Sequence, residues 1–447
     1  MDDVTDLVDF FVDGIRIVGF QVQSKKGLGV GRTDVEPPLV VLNRHSIQVV
    51  DVPVRVVRLE GGHCSLLIVD GKVNFAGLVV PAERFDQFGE GLVLFREKFH
   101  QIQQGQNGGV GVVIFTIIIV TGEFAAEHGV DLRTRLLGNF ESLAPLGSKL
   151  APLSNLPNKL PGAGLLGEKL FGIAKERDLP AFRSESLTDW FEARGGAGVS
   201  RAEADREVLL FPDVYTTYTN PGAGKAAIRV LEAANCHVRI PDVDGSGRPP
   251  HSKGLLEKSR ATARDAVETL APDVREGKDV VVVEPTDAVM LQSDYHDLLD
   301  GDASDVPDAD VAAVSEHAYG IMEYVDAHRL DEALDLDAPT ESLTYHGHCH
   351  QKATKKDHHA VGVLRRAGYG VDPLDSSCCG MAGSFGYEAE HYDLSQAIGE
   401  ILFDQVEASD GAVATAPGAS CRSQLGDREG GTTPPHPIEK VAEALDE

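Results

Sequence analysis

The sequence predicts an α/β protein in which two related units, each built on a parallel sheet, follow a helical connector and a poorly defined β-rich N-terminal segment. Three observations lead there. From Glu207 onward, short apolar runs alternate with helix-length segments, the pattern of strands joined by helical crossovers. One of these runs, Val280 to Val283, is unbroken valine, as in a strand covered on both faces. Three loop positions late in the chain also recur about 134 residues earlier.

The chain has 447 residues, enough for two or three domains. Its 70 acidic and 41 basic residues give a net charge of -29. That excludes nucleic-acid binding as an expectation, since phosphates need a basic face. Such acidity makes a strongly solvated surface and suits a salty cytoplasm, where self-repulsion is screened. Met1-Asp2-Asp3 is the reverse of a secretory leader, and six cysteines in so long a chain fit a reducing compartment. The longest apolar run, Val110 to Val120, is too short to span a bilayer and is expected as a buried strand. The expected location is the cytoplasm, free or peripheral to the inner face of the membrane.

Residues 1–120 hold 14 acidic and 11 basic residues, against 56 and 30 in the remainder. That shift sets the first boundary. The segment reads either as a small β-rich unit, with runs at Ile47 to Val57, Leu66 to Val69 and Val110 to Val120, or as a translation in the wrong reading frame. Residues 121–205 carry Pro145, Pro152, Pro157, Pro161 and Pro180 between short helical stretches. Their many leucines argue for a connector packed on its neighbour, not a free linker.

Residues 206–335 form the first unit, with strands expected at 208–213, 237–242 and 280–285 and helices at Gly222 to Asn235 and near Gly254 to Leu270. Residues 336–447 form the second, with strands at 343–349, 370–375 and 412–417. Its helices run up to Ala367 and from near Glu388 to Val406. Cys349, Cys378 and Cys421 each follow a strand. Counting back 135, 133 and 134 residues reaches Val214, Gly245 and Asp287, each also just past a strand. One period fitting three strand ends indicates an internal duplication, with the two units facing each other.

Ligands of open parallel sheets bind outside the carboxyl ends of the strands. Four cysteines stand there: Cys349 in HGHCH, the adjacent Cys378 and Cys379 in SCCGMAGS, and Cys421 in PGASCR. Thiolates are soft ligands for an iron–sulfur cluster or zinc. Gly380, Gly383 and Gly386 let backbone approach an inorganic core and offer N–H groups to sulfide. His348, His350, His358 and His359 compete as ligands or serve as hydrogen-bonding surroundings. His350, Lys352 and Arg422 are candidates for positive charge beside an anionic cluster. Phe385, Tyr387 and Tyr392 read as core. Cys236 precedes a strand and reads as packing; Cys64 stands alone.

CCGMAGSFGYE at 378–388, with HGHCHQKA at 346–353 and APGASCR at 416–422, resembles the cysteine-rich CCG domain family. That family occurs in heterodisulfide reductase subunits, in the iron–sulfur subunit of anaerobic glycerol-3-phosphate dehydrogenase, and in glycolate and lactate oxidation proteins. The similarity runs from about Val130 to Leu445 and is nearest to the C-terminal section of FAD-linked D-lactate or glycolate dehydrogenases. It implies one iron–sulfur cluster on Cys349, Cys378, Cys379 and Cys421, flanked by Gly380, Gly383, Gly386, His350 and Arg422. It also implies FAD only on a partner: an FAD-containing dehydrogenase subunit, working with a ferredoxin-type protein or domain and with a membrane quinone as a candidate acceptor. The two units would then be CCG repeats.

The sequence departs from the family pattern in three ways. Gly245-Ser246-Gly247-Arg248-Pro249 stands where the first repeat would carry Cys-Cys-Gly-Arg-Pro, and Asp287 where it would carry a further cysteine. Hence one cluster is expected, not two. Gly418 replaces the first cysteine of a final Cys-x-x-Cys pair, which favours an ordinary four-iron cluster. Neither an FAD domain nor a ferredoxin-type cysteine run is visible. Two phosphate-loop lookalikes, Gly27 to Gly31 and Pro221 to Lys225, lack the required spacing and read as a turn and a helix start. The expected function is electron transfer in flavin-linked oxidation of a hydroxy acid or glycerol 3-phosphate. The alternatives are heterodisulfide-type thiol chemistry and a non-redox zinc module.

Overall fold

The computed structural model describes strands between residues 6 and 74, and residues 130–445 apart from 157–159, 161, 301–304 and 429. The chain divides into two compact units, Met1–Asn107 and Gly108–Glu447. The first unit contains β1 (Asp6–Val12), β2 (Ile15–Gln21), β3 (Leu39–Asn43) and β4 (Ser46–Val50) in one antiparallel sheet. A second antiparallel sheet holds β5 (Val54–Arg58), β6 (Ser65–Val69) and β7 (Lys72–Asn74). The run expected as one strand from Ile47 to Val57 is therefore two strands in different sheets. Pro53, which has no N–H for a continuing ladder, lies between them. The run at 110–120 and the glycines at 27–31 lie outside the described residues.

The second unit carries the predicted parallel sheets. In the first repeat, β8 (Arg206–Leu210), β9 (Cys236–Arg239), β10 (Asp279–Val282) and β11 (Ala318–Gly320) pair in the order β9-β8-β10-β11. In the second, β12 (Ser342–Tyr345), β13 (Gly370–Pro373) and β14 (Val413–Thr415) pair in the order β13-β12-β14. Every pairing in both sheets is parallel. The first strand is flanked by the second and the third in each case, so the topology repeats. The residue after the first strand repeats its bond as well: the Phe211 N–H donates to the Val281 carbonyl at 2.9 Å, and that of His346 to Thr415 at 3.0 Å. The short β11 has no counterpart in the second sheet and no warning in the sequence, since three residues leave no periodic signal.

The valine run of β10 is buried on both faces. Val281 and Val283 join a core with Leu210, Ile228, Leu343, Tyr345, Val363 and Ile438, which contains residues of both repeats. Val280 and Val282 face a second core with Phe211, Val267, Leu270 and Tyr295. Cys236 is fully buried in the first of these, at the start of β9. A third, smaller cluster gathers Cys379, Met381, Tyr387, Leu402, Ala416, Cys421 and Leu425.

Helix boundaries depart from expectation where local geometry intervenes. The helix expected to end at Ala367 is two, Cys349–Ala353 and His358–Arg366, broken where Lys355 adopts a left-handed φ of 60°. The long helix of the second repeat begins at Tyr392, after two 3₁₀ turns. Pro221 to Lys225 open the helix Pro221–Ala233, with Lys225 paired to Glu185 at 2.7 Å and no sign of a phosphate cradle.

The connector contributes the helices Leu132–Gly138, Phe140–Lys149, Ala163–Phe171 and Leu187–Ala193. It is pinned to the second repeat. The Ala174 N–H donates to the Tyr387 carbonyl and that of Ala389 to Gly172, both at 2.8 Å. The buried Arg177 donates to the Gly386 carbonyl at 3.0 Å, Ser395 Oγ at 3.0 Å and Gln424 Oε1 at 2.6 Å, and also pairs with Asp427. Every exposed large hydrophobic side chain among the described residues lies between Leu132 and Leu179.

Candidate functional site

The site is assembled at the carboxyl ends of β12, β13 and β14. After β12 the chain turns through His346-Gly347-His348. His348 caps the helix Cys349–Ala353, its Nδ1 accepting the His350 N–H at 3.2 Å. After β13 comes the Cys378-Cys379-Gly380 loop. After β14, Gly418 opens the helix Ala419–Gly426, which carries Cys421 in its first turn. Three strand ends thus deliver four sulfurs to one place.

The sulfurs interact as neighbours in series, Cys349 with Cys378, Cys378 with Cys379, and Cys379 with Cys421. Cys378 and Cys421 are held well below the usual thiol range by the neighbouring thiols of Cys349 and Cys379. The same contacts push Cys349 and Cys379 well above it. Cys379 and Cys421 are buried, whereas Cys349 and Cys378 are partly exposed. A four-thiol set with two members already favouring thiolate suits a soft metal or an iron–sulfur core.

The glycines divide by role. Gly380 has φ +95°, and its N–H donates to Cys378 Sγ at 3.3 Å. A Cβ there would collide with the Ser395 carbonyl. Gly386 is crowded by Met381 and Ser395, so it serves the packing of the loop on the helix Tyr392–Ala408 and not an approach to sulfur. Gly383 has φ +70° and open space around its Cα. At Gly418 a Cβ would collide with the His348 ring; with His348 in place there is no room for a further cysteine.

Among the histidines, the structure brings in one that sequence reasoning passes over. His346 is buried, with Nδ1 2.6 Å from Ser376 Oγ. Its ring nitrogen and the sulfurs of Cys379 and Cys421 lie within 4.8 Å of one another. The signal is there in HGHCH, since a residue directly after a strand sits at the ligand end of the sheet. His348 and His350 flank the site. His358 and His359 start the next helix, where His359 pairs with Asp326 at 2.6 Å.

The expected positive charges behave differently from a simple cationic rim. Burial, reinforced by Arg248, pushes His350 well below its usual range, so its ring is neutral at pH 7. Lys352 donates to the Ser376 carbonyl and to Ser376 Oγ at 3.1 Å, and burial lowers its pKa. Arg422 is buried, and burial raises the carboxyls of Asp213 and Glu284 in the first repeat, a rise that the Arg422 charge partly offsets. Of the nearby aromatics, Tyr387 is buried and exchanges a 2.9 Å bond with Ser423, while Phe385 stacks on His391.

The first repeat keeps the frame with other atoms. Asp213 caps the helix Val214–Tyr218, its carboxylate accepting the Thr216 N–H at 2.8 Å. Ser246 Oγ donates to Asp287, reproducing with oxygen the Cys379–Cys421 contact. Glu141 of the connector accepts the N–H groups of Ser246 at 3.0 Å and Gly247 at 3.1 Å. A Cβ at Gly245 would lie 2.5 Å from the Glu141 carboxyl, so Glu141 takes the space of a first cysteine. Burial raises Glu141 and Glu284 to about 7 and Asp287 well above its usual value. The two halves meet where the Ala419 N–H donates to Glu284 at 2.9 Å and Arg248 approaches His350 Nε2 at 3.5 Å.

Comparison with known proteins agrees with this anatomy. Residues 343–426 match the family model of the CCG cysteine-rich domain. One of the subunits of the anaerobic glycerol-3-phosphate dehydrogenase of Escherichia coli K12 is 26% identical over 326 residues, covering 70% of this chain and 78% of that one. D-2-hydroxyglutarate dehydrogenase of the same organism is 25% identical over 325 residues, which is 70% of this chain but 30% of that one. Lactate utilization protein A of Shouchella clausii is 25% identical over 227 residues, covering 49% and 90%.

Proposed function

We propose that this chain, with its CCG domain, is an electron-transferring oxidoreductase component of a dehydrogenase system that oxidises a hydroxy acid or glycerol 3-phosphate. The observation that carries the reading is the meeting of Cys349, Cys378, Cys379 and Cys421 at one sheet edge. The names of the relatives support it, because three different dehydrogenase or lactate-use proteins share this region. The four thiolates would hold one iron–sulfur cluster, which when bound supplies one-electron chemistry.

The residues of the chain set the conditions. Cys379 and Cys421, in an apolar pocket with Met381, Ala416 and Leu425, exclude water from the inner side. Cys349 and Cys378, partly exposed, mark the edge where electrons would arrive from an FAD-containing partner. The Gly380 N–H directed at Cys378 Sγ offsets negative charge there. Onward transfer would run to a ferredoxin-type protein or a membrane quinone. No helix among the described residues is long and apolar enough to cross a membrane.

Anaerobic isolation and reconstitution with iron and sulfide test the reading. About four irons and four sulfides per chain, with a reducible visible band, are expected of one cluster. A colourless chain holding one zinc through Cys379, Cys421 and their neighbours would sink it.

A further inference from the structure

His346 has a ring nitrogen with no assigned use. Its Nε2 is buried with no hydrogen-bond partner while Nδ1 is engaged by Ser376. The neighbours place the ring proton. The Lys352 ammonium has only donors, and it donates to Ser376 Oγ at 3.1 Å. Among the hydrogen bonds of Ser376 Oγ, the one acceptor open to its own proton is then His346 Nδ1. In the tautomer that accepts at Nδ1 the ring proton sits on Nε2, and a ring nitrogen of His346 lies within 4.8 Å of the Cys379 and Cys421 sulfurs.

The first repeat supplies an internal control. The equivalent of His346, by strand position and by backbone bond, is Phe211, buried in an apolar core. The donor is present in the repeat that carries cysteines past its strand ends and absent in the one that carries none there.

We propose that His346, fixed as its Nε2–H tautomer by Ser376 and Lys352, donates a hydrogen bond to the Cys421 sulfur of the bound cluster and raises its reduction potential. Reduction adds one electron and breaks no bond; an N–H directed at the ligand sulfur stabilises the added charge. The inference rests on the cluster reading above.

The test uses the full chain, reconstituted anaerobically with iron and sulfide, and a potentiometric titration followed by electron paramagnetic resonance. His346→Leu is expected to keep its iron and to lose about tenfold in the equilibrium constant for reduction, ~59 mV for one electron. His346→Gln, which restores a donor, should recover part of the shift. An unchanged midpoint in His346→Leu overturns the proposal. So does a strong nitrogen coupling in the wild type, or loss of iron with His346→Gln, either of which would make the nitrogen a ligand. Should His346→Leu not fold, Ser376→Ala keeps the ring but releases the tautomer; an unshifted midpoint there also overturns it. If the wild-type chain takes up no iron and sulfide, the cluster reading fails instead.

Discussion

In the first repeat, the loop after the second strand sets Ser246 against Asp287; in the second, the matching loop sets Cys379 against Cys421. Both loops turn on a glycine with positive φ, Gly247 at +79° and Gly380 at +95°. Each of these glycines is pressed against the carbonyl of a buried serine on a later helix, Ser259 and Ser395. The frame therefore specifies a pair of touching side chains, and the residue type decides what the pair does. Oxygen atoms there share a proton and close the site, helped by Glu141. Sulfur atoms there leave a soft, thiolate-bearing pocket.

The largest effect that would break or sharpen this contrast is on metal content. Cys421→Ala should abolish uptake of iron and sulfide, whereas Asp287→Asn at the matching place should leave it unchanged. Elemental analysis after reconstitution decides this, and equal effects would erase the functional difference between repeats. Next come the glycines. Gly247→Ala and Gly380→Ala each combine a left-handed backbone with a Cβ under 3 Å from a carbonyl, so each should cost about 3 kcal/mol or more in urea unfolding. A cheap substitution at one and not the other would show that the loops are not equivalent.

Glu141 gives a smaller, pH-dependent effect. Burial raises its carboxyl from 4.5 in the unfolded chain to about 7 in the fold. Between these values the folded state binds more protons at this group, so the Glu141 contribution to stability is fully present below pH 4.5 and is lost as pH rises through about 7. The loss is up to ~1.4 kcal/mol per pH unit. Glu141→Gln should flatten that slope in urea melts taken from pH 5 to 8, while the Gly380 loop is unaffected. The smallest effect is at Gly383. Its φ of +70° is strained for alanine, but no atom crowds it, so Gly383→Ala should cost about 1 kcal/mol.

Much of this is legible in sequence, for identifiable reasons. Parallel strands buried on both faces have to be continuously apolar, which is why Val280 to Val283 reads as one. Duplication leaves a fixed spacing, which ties Val214, Gly245 and Asp287 to the cysteines without knowledge of any contact. The connector's fit is half legible. Its leucines argue for packing, but nothing in the local sequence marks Arg177 as the buried donor to Ser395, Gln424 and Asp427 more than two hundred residues away. His350, expected to bring charge, is neutral because burial and Arg248 outweigh its tendency to protonate.

By itself, then, the sequence determined the α/β class, the repeat, and the strand ends that carry the four cysteines, because periodicity and spacing are local or regular properties of a chain. Only the tertiary structure decided that Glu141 fills the gap beside Gly245, that His348 blocks a side chain at Gly418, and that a ring nitrogen of His346 comes within 4.8 Å of two sulfurs. Those facts depend on atoms far apart in the chain arriving within a few ångströms. Close packing, not local preference, fixes where they arrive.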